Sequence, residues 1–197
     1  MSLQSSVHAV LLAAGNSSRY GGPKLLATID GVSLIRRAAQ AALATGAVPL
    51  VVTGAYADRI GAEVADLDAR IVYNGAWADG MGGSIACAFR QLVAQADAGA
   101  AILCPADLPR VGATQLQRLI DAHRAAPQRI VVSDFGAAQG PPCLFPRRCF
   151  AELAQLSGPQ GARALLARHA DEITRIPMPE AAADVDTPDD FAKFRAV

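Results

Sequence analysis

Five apolar runs of strand length alternate with stretches of helical periodicity, and no other feature narrows the fold so far. The runs are VHAVLL (7–12), VPLVVT (48–53), ARIVYN (69–74), AAILCP (100–105) and RIVVSD (129–134). Between them, Ser33 can cap a helix whose Leu34, Ile35, Ala38, Ala39, Ala42 and Leu43 form one apolar stripe ended by Gly46, and Leu116, Leu119, Ile120 and His123 form a second stripe. Strands and helices that take turns pair in parallel through crossover helices, which then cover both faces of the sheet. The expected fold is α/β, a three-layer Rossmann-like arrangement around a mixed, mostly parallel sheet. PPCLFPRRCF (141–150) breaks the rhythm, and its prolines suit an edge strand or a strand outside the parallel set. At 197 residues, 52% of them hydrophobic, the chain can bury one good core. A single domain over 1–197 is expected, with 1–6 disordered or tag-derived.

Eighteen basic residues balance eighteen acidic ones, which leaves no broad cationic face for a nucleic-acid backbone. The longest apolar runs are too short to cross a bilayer, and no basic segment leads into a long apolar one. The expected setting is the cytoplasm, with neither nucleic acid nor membrane as a partner. Cys87, Cys104, Cys143 and Cys149 form no C-x-x-C pair and lie far in sequence from His8, His123 and His169. Buried free thiols are therefore expected rather than a zinc site or a disulfide framework.

The residues that carry chemistry gather after the strands, where ligands of open α/β sheets bind. The stretch LLAAGNSSRYGGPKLL (11–26) follows the first strand. Its Gly15, Gly21 and Gly22 let backbone approach a ligand, Ser17 and Ser18 add hydroxyls, and Arg19 and Lys24 add charge. These are phosphate-handling parts, although neither G-x-x-x-x-G-K-[ST] nor G-x-G-x-x-G is present, and the plainer alternative is a glycine-rich turn. In CPADLPR (104–110), Asp107 follows a strand between two prolines, where its carboxylate could bind a hard divalent cation or merely start the turn into helix 112–125. In ADVDTPDDFAKF (183–194), Thr187, Pro188 and Asp190 make a good helix start, so Asp189 and Asp190 need no function. Asp184 and Asp186 precede the cap, and Asp186 is the candidate for a second metal carboxylate. NGAWADGMGGSIACAFRQL (74–92) enters a helix, and its G-G-S-I-A approximates the G-x-S-x-G elbow of serine hydrolases. Strand 69–74 ends roughly ten residues too early for an elbow. Ser84 capping a helix that points its amides at a ligand fits better.

In that order, LAAGNSSRYGGPKLL, NGAWADGMGGS, ADLP and DVDTPDD resemble the MobA-like nucleotidyltransferases, and within them the molybdenum cofactor cytidylyltransferase branch. The resemblance runs from Val7 to Phe194. It implies a nucleotide-diphospho-sugar transferase (GT-A-like) fold and transfer of NMP from an NTP to the phosphate of a molybdopterin-type acceptor, releasing pyrophosphate. The LAAG…PK pattern looks like the type that uses CTP rather than GTP. By the same resemblance Arg19 and Lys24 bind the triphosphate, and Lys24, Arg19 and Asp107 are the catalytic set. Asp107 and Asp186 hold Mg2+, while Ala13, Ala14, Gly15, Ser17, Ser18, Gly83 and Ser84 surround the nucleotide. The implied protein partner is a molybdoenzyme or its chaperone.

Two motifs depart from the branch. Gln139-Gly140-Pro141-Pro142 stands where R-G-H-P is usual, and GPQGAR (158–163) where G-D-x-G-A-R is usual, with Pro159 replacing the acid. Both lie in the half expected to hold the acceptor, so the resemblance supports nucleotide chemistry better than the pterin substrate. Three alternatives stand beside it: another phosphorylated acceptor, a nonenzymatic nucleotide or pterin carrier serving a molybdoenzyme, and an NAD(P)H-dependent oxidoreductase, for which no dinucleotide fingerprint speaks. The residue inventory agrees with phosphoryl chemistry. A phosphate monoester is already ionised near neutral pH, so its attack on an α-phosphorus demands cations rather than a histidine base.

Overall fold

The computed structural model describes residues 6–136 and 138–195. In chain order the elements are β1 (Ser6–Ala13), β2 (Thr28–Ile29), β3 (Val32–Ser33), α1 (Leu34–Ala44), β4 (Val48–Thr53), α2 (Ala57–Glu63), β5 (Arg70–Tyr73), α3 (Met81–Val93), β6 (Ala98–Pro105), α4 (Ala113–Ala125), β7 (Ile130–Asp134), β8 (Gln139–Pro146), α5 (Phe150–Leu153), α6 (Arg163–Arg168), β9 (Ile173–Pro177) and α7 (Pro188–Arg195). Of the expected disordered or tag-derived stretch 1–6, residues 1–5 lie outside the described residues, and Ser6 opens β1, where it pairs with Ala98.

Seven strands form one sheet in the order β5-β4-β1-β6-β8-β7-β9. β1 pairs in parallel with β4 and β6, β4 with β5, and β7 with β9, while β8 runs antiparallel to both β6 and β7. Every strand of this sheet but β8 therefore points the same way. Alternate residues of β1 enter opposite layers: Ala9, Leu11 and Ala13 pack with Leu34 and Ile35 of α1 and Leu116 and Leu119 of α4. Val10 instead joins Ile85 and Phe89 of α3 and Phe150 of α5. A sheet covered on both faces by helices is the three-layer α/β arrangement expected, and the apolar runs read as continuous because both faces are buried. Ser33 caps α1 as expected, its hydroxyl accepting from the Arg36 amide.

β8 meets the second of the two expectations for this segment. It lies inside the sheet rather than at its edge, although it does stand outside the parallel set. Its prolines are tolerated because the ladder with β7 shifts register between Val132 and Ser133, so Cys143 and Gly140 are paired while Pro141 and Pro142 are skipped. There the buried Ser133 hydroxyl donates to the Pro142 carbonyl at 2.7 Å.

The site is positioned by the carboxyl ends of β1, β4 and β6, which lie side by side. The Ala55 amide donates to the Ala14 carbonyl at 3.0 Å and the Ala106 amide to the Leu12 carbonyl at 3.3 Å, tying the loops after β4 and β6 to the end of β1 and the loop that follows it. Gly54 makes this approach possible, since a Cβ there would lie 2.5 Å from the Ala14 carbonyl oxygen and 2.7 Å from Trp77 Cβ.

Candidate active site

A cleft of about 950 Å³ opens over these strand ends. Its walls include Ala13, Ala14, Gly15, Ser17, Ser18 and Arg19 from the first loop, Lys24 beyond it, Ser84 from α3, and Asp107, Asp184 and Asp186 from the far side. Of the residues expected around a nucleotide, Gly83 alone does not line the cleft; it faces the Asn74 side chain instead. The first loop holds its shape through Ser17, which takes φ 52°, and Gly21 at φ 79°. Amides of Tyr20 and Gly21 both donate to the Ser17 carbonyl, and the Tyr56 hydroxyl donates to the Asn16 carbonyl.

At the floor, charges of alternating sign are threaded together. The Lys24 ammonium donates to Asp107 Oδ2 at 2.6 Å, to the Val185 carbonyl at 2.7 Å and to Asp186 Oδ1 at 3.2 Å. Arg19 reaches the other oxygen of Asp186 at 2.7 Å. Lys24, Asp107 and Asp186 are 14%, 17% and 25% exposed, whereas Arg19 is 72% exposed. The group is thus a sunken Lys–carboxylate core with a mobile-length cation at its rim. All three ammonium protons are spent on protein acceptors. The segment carrying Asp186 is held against β6's loop by the Val185 amide, which donates to the Asp107 carbonyl at 3.0 Å. Asp184 is exposed overall, yet partial desolvation, and then the neighbouring Asp186 and Asp107 carboxylates, raise its carboxyl above the ordinary range.

The capping box after Asp186 forms as expected. The Asp190 amide donates to Thr187 Oγ1 at 3.2 Å, and the Thr187 amide donates to Asp190 Oδ2 at 3.1 Å. Lys193, and then Thr187, hold the Asp190 carboxyl well below the usual range. Ser84 is not a cap. α3 begins three residues earlier, with Gly80 as N-cap at φ 117°. The Gly82 amide donates to the Gly158 carbonyl at 2.9 Å, so the start of α3 turns amide toward the 157–159 backbone. Close contact demands glycine there, since a Cβ on Gly82 would lie 2.5 Å from the Ser157 carbonyl oxygen.

None of His8, His123 and His169 lines the cleft, which removes the serine-hydrolase arrangement around Ser84. Burial pushes the Cys104 thiol, close to Asp107, up to about 12, so it is no nucleophile at neutral pH. The four cysteines are free, three of them buried. Trp77, Met81 and Phe135 also line the cleft and were not singled out by sequence. The aromatic and methionine character of Trp77 and Met81, directly before the glycines of α3, was the available signal.

Among the described residues no three His, Cys, Asp or Glu side chains are gathered as a metal cage. Two carboxylates share one ammonium, and such a pair fits a divalent ion that completes its shell with substrate phosphates and water.

Residues 9–173 match the MobA-like NTP transferase domain. The chain belongs to the MobA-like NTP transferase family. A relative from Trichormus variabilis, named a probable molybdenum cofactor guanylyltransferase, is 28% identical over 93% of this chain and 88% of its own. A nucleotidyl transferase from Methanothermobacter thermautotrophicus superposes with a TM-score of 0.81 at 20% identity, covering 96% of both chains, and supports the GT-A-like fold. A Mycobacterium tuberculosis protein has a TM-score of 0.75 and 25% identity, covering 98% of this chain and 100% of its own, in a structure described as a complex with manganese. Nucleotidyltransferase chemistry is therefore the family's, and the cleft at the strand ends is where this member presents its charged residues. No helix among the described residues is long and apolar enough to cross a membrane.

Proposed function

We propose that this member transfers CMP from CTP to the phosphate of a molybdopterin-type acceptor, with release of pyrophosphate. The observation that carries the reading is the alternating cluster Arg19–Asp186–Lys24–Asp107 on the floor of the cleft. Its formal charge is zero, so it cannot neutralise a triphosphate as it stands. Arg19, at the exposed rim, can exchange its carboxylate for phosphate at little cost, whereas sunken Lys24 would turn to phosphate oxygens as its carboxylates gain another cation. Asp107 and Asp186 would hold Mg2+ in that exchange, and the ion would offset repulsion between the two phosphate anions and stabilise departing pyrophosphate. Lys24, released toward the phosphates, supplies a point charge, and Arg19 at the open rim supplies a planar fork that can follow the leaving group. The acceptor phosphate is already ionised, so no residue need remove its proton.

Ala13, Ala14 and Gly15 of the cleft wall would face the base, with Ser17 and Ser18 toward the phosphates. Ala14 carries a methyl where a glycine would leave more room, which favours a pyrimidine and supports CTP. The relative's name points the other way, toward GTP. Phe135, Ala138 and Pro141 form an apolar wall suited to the flat ring of an acceptor. A molybdoenzyme or its chaperone would receive the product, and the cytoplasm is the setting such a pathway implies.

The test is pyrophosphate release with magnesium, each NTP and phosphorylated pterin acceptors, for wild type and Asp107→Asn. Activity should require both nucleotide and acceptor and fall by a factor on the order of 10² or more in the variant. Wild-type turnover in Asp107→Asn would refute the role given to this carboxylate, and binding without any pyrophosphate would favour the carrier.

A further inference from the structure

Asn74, directly after β5, is 7% exposed and takes no part in the charged cluster. Its backbone amide donates to the Thr53 carbonyl at 2.9 Å, which anchors it beside the end of β4. Its side-chain oxygen accepts from the Ala76 amide at 3.1 Å. A backbone N–H can only donate, so this bond orients the side chain and directs Nδ2 the other way. There Nδ2 donates to Ser84 Oγ at 3.0 Å, in a buried pair.

The consequence lies with the serine. A hydroxyl has one proton, and with Oγ already accepting, that proton has to point away from Asn74. Serines inside helices commonly donate to the carbonyl one turn back. Among the described residues, however, the Ser84 hydroxyl makes no such bond, and the one hydrogen bond it takes part in is the one it accepts from Asn74. Ser84 is 4% exposed and lines the cleft. The free O–H donor is therefore available to a ligand there.

We propose that Asn74 is a positioning residue that fixes the polarity of Ser84, so that the serine hydroxyl donates to an acceptor atom on the edge of the bound nucleobase. Cytosine offers two adjacent acceptors, N3 and O2. Guanine presents N–H donors at the corresponding edge, and a donor facing donors leaves buried groups unpaired. The inference rests on the nucleotide reading above and adds the residue that selects the base.

The test uses the whole chain at pH 8, where an introduced carboxylate is ionised. Affinity for CTP is read by calorimetry and by fluorescence of Trp77, the chain's one tryptophan and itself part of the cleft wall. Tripolyphosphate, which has no base, is the control ligand. Ser84→Ala should weaken CTP roughly 3–10-fold, the worth of one hydrogen bond. Asn74→Asp keeps the shape and the acceptor for Ala76, but it draws the serine proton to itself and turns lone pairs toward the base. It should weaken CTP about tenfold or more. Asn74→Asp combined with Ser84→Ala should be no weaker than Ser84→Ala alone, because the asparagine acts through the serine. Tripolyphosphate affinity should stay at the wild-type value throughout.

Additive losses in the double variant, or equal losses for CTP and tripolyphosphate, would make Asn74 merely a structural anchor and overturn the inference. Should Asn74→Asp not fold, Ser84→Ala still decides: unchanged CTP affinity overturns the proposal. A wild-type chain that binds tripolyphosphate as tightly as any NTP would remove the nucleotide reading itself, a result distinct from the loss of this inference alone.

Discussion

Replacing Lys24 by alanine removes the one cation that both floor carboxylates share. The ammonium is 14% exposed and bonds Asp107 at 2.6 Å, the Val185 carbonyl at 2.7 Å and Asp186 at 3.2 Å. Breaking a fully buried pair costs roughly 3–5 kcal/mol, because a carboxylate is left uncompensated. Here Asp107 and Asp186 are 17% and 25% exposed, water can enter the vacated space, and Arg19 still neutralises Asp186. The expected loss is therefore about 2 kcal/mol. For a chain of this size it lowers Tm by about 4–8 °C. Lys24→Arg keeps the charge and should lose less, though a planar fork fits a three-acceptor pocket poorly. Thermal unfolding followed by circular dichroism, in chelator and then in magnesium or manganese, measures both effects. The divalent ion should stabilise Lys24→Ala more than wild type, since it meets two carboxylates with no ammonium competing for them. Pyrophosphate release should fall by about 10²–10³ in the alanine variant. Unchanged Tm in chelator together with unchanged turnover would show Lys24 to be a solvated surface lysine and refute the reasoning.

Gly82→Ala should destabilise by roughly 1–3 kcal/mol, because its Cβ would lie 2.5 Å from the Ser157 carbonyl oxygen. Gly15→Ala, with nothing within 4 Å of the added carbon, should leave Tm unchanged in the same denaturation assay. His169 lies 3.0 Å from both Glu172 and Glu152, and the hydrogen bond it donates to Glu172, then that to Glu152, raises its pKa above the ordinary 6.5. A raised folded-state pKa stabilises fully below the unfolded value, and that stabilisation is lost as pH rises through the folded one. Tm should therefore decline, as pH rises above the ordinary histidine value of about 6.5, more steeply in wild type than in His169→Gln. Measured kcat/KM should favour CTP over GTP; equal or better use of GTP would place this member with the guanylyltransferases and leave the roles of Lys24 and Asp107 intact.

The parallel strands were legible because burial on both faces makes them continuous apolar runs: β1, β4 and β6 fall within a residue or two of VHAVLL, VPLVVT and AAILCP. The cap of α1 at Ser33 and the Thr187–Asp190 box were legible for a different reason, since each is a local hydrogen-bond exchange written in adjacent residues. β9 was missed because its burial alternates at the sheet edge, with Thr174 and Arg175 breaking the apolar run. The start of α3 was read too late because Gly82 and Gly83 are poor helix formers, and it is contact with Ser157 and Gly158 that requires a glycine at 82. Within the site, Lys24 and Asp107 are 83 residues apart and Lys24 and Asp186 are 162 apart, so no local rule could join them. They could be singled out by the glycine-rich loop after β1, the loop after β6 and the position before the Thr187 cap, and their roles came from the family resemblance. Asn74 opens the NGAWADGMGGS motif, but by itself an asparagine after a strand reads as an ordinary turn former, and nothing local tied it to Ser84.

The central claim is attack of an acceptor phosphate on the α-phosphorus of a nucleoside triphosphate held at the ends of β1 and β6. The most direct measurement follows CTP labelled at its α-phosphorus, with magnesium and a phosphate-bearing pterin acceptor. The account predicts that the label moves into an acceptor-linked product, with pyrophosphate released in equal amount and none formed without acceptor. Label that stays in bound CTP, or leaves as CDP while inorganic phosphate accumulates, would contradict it.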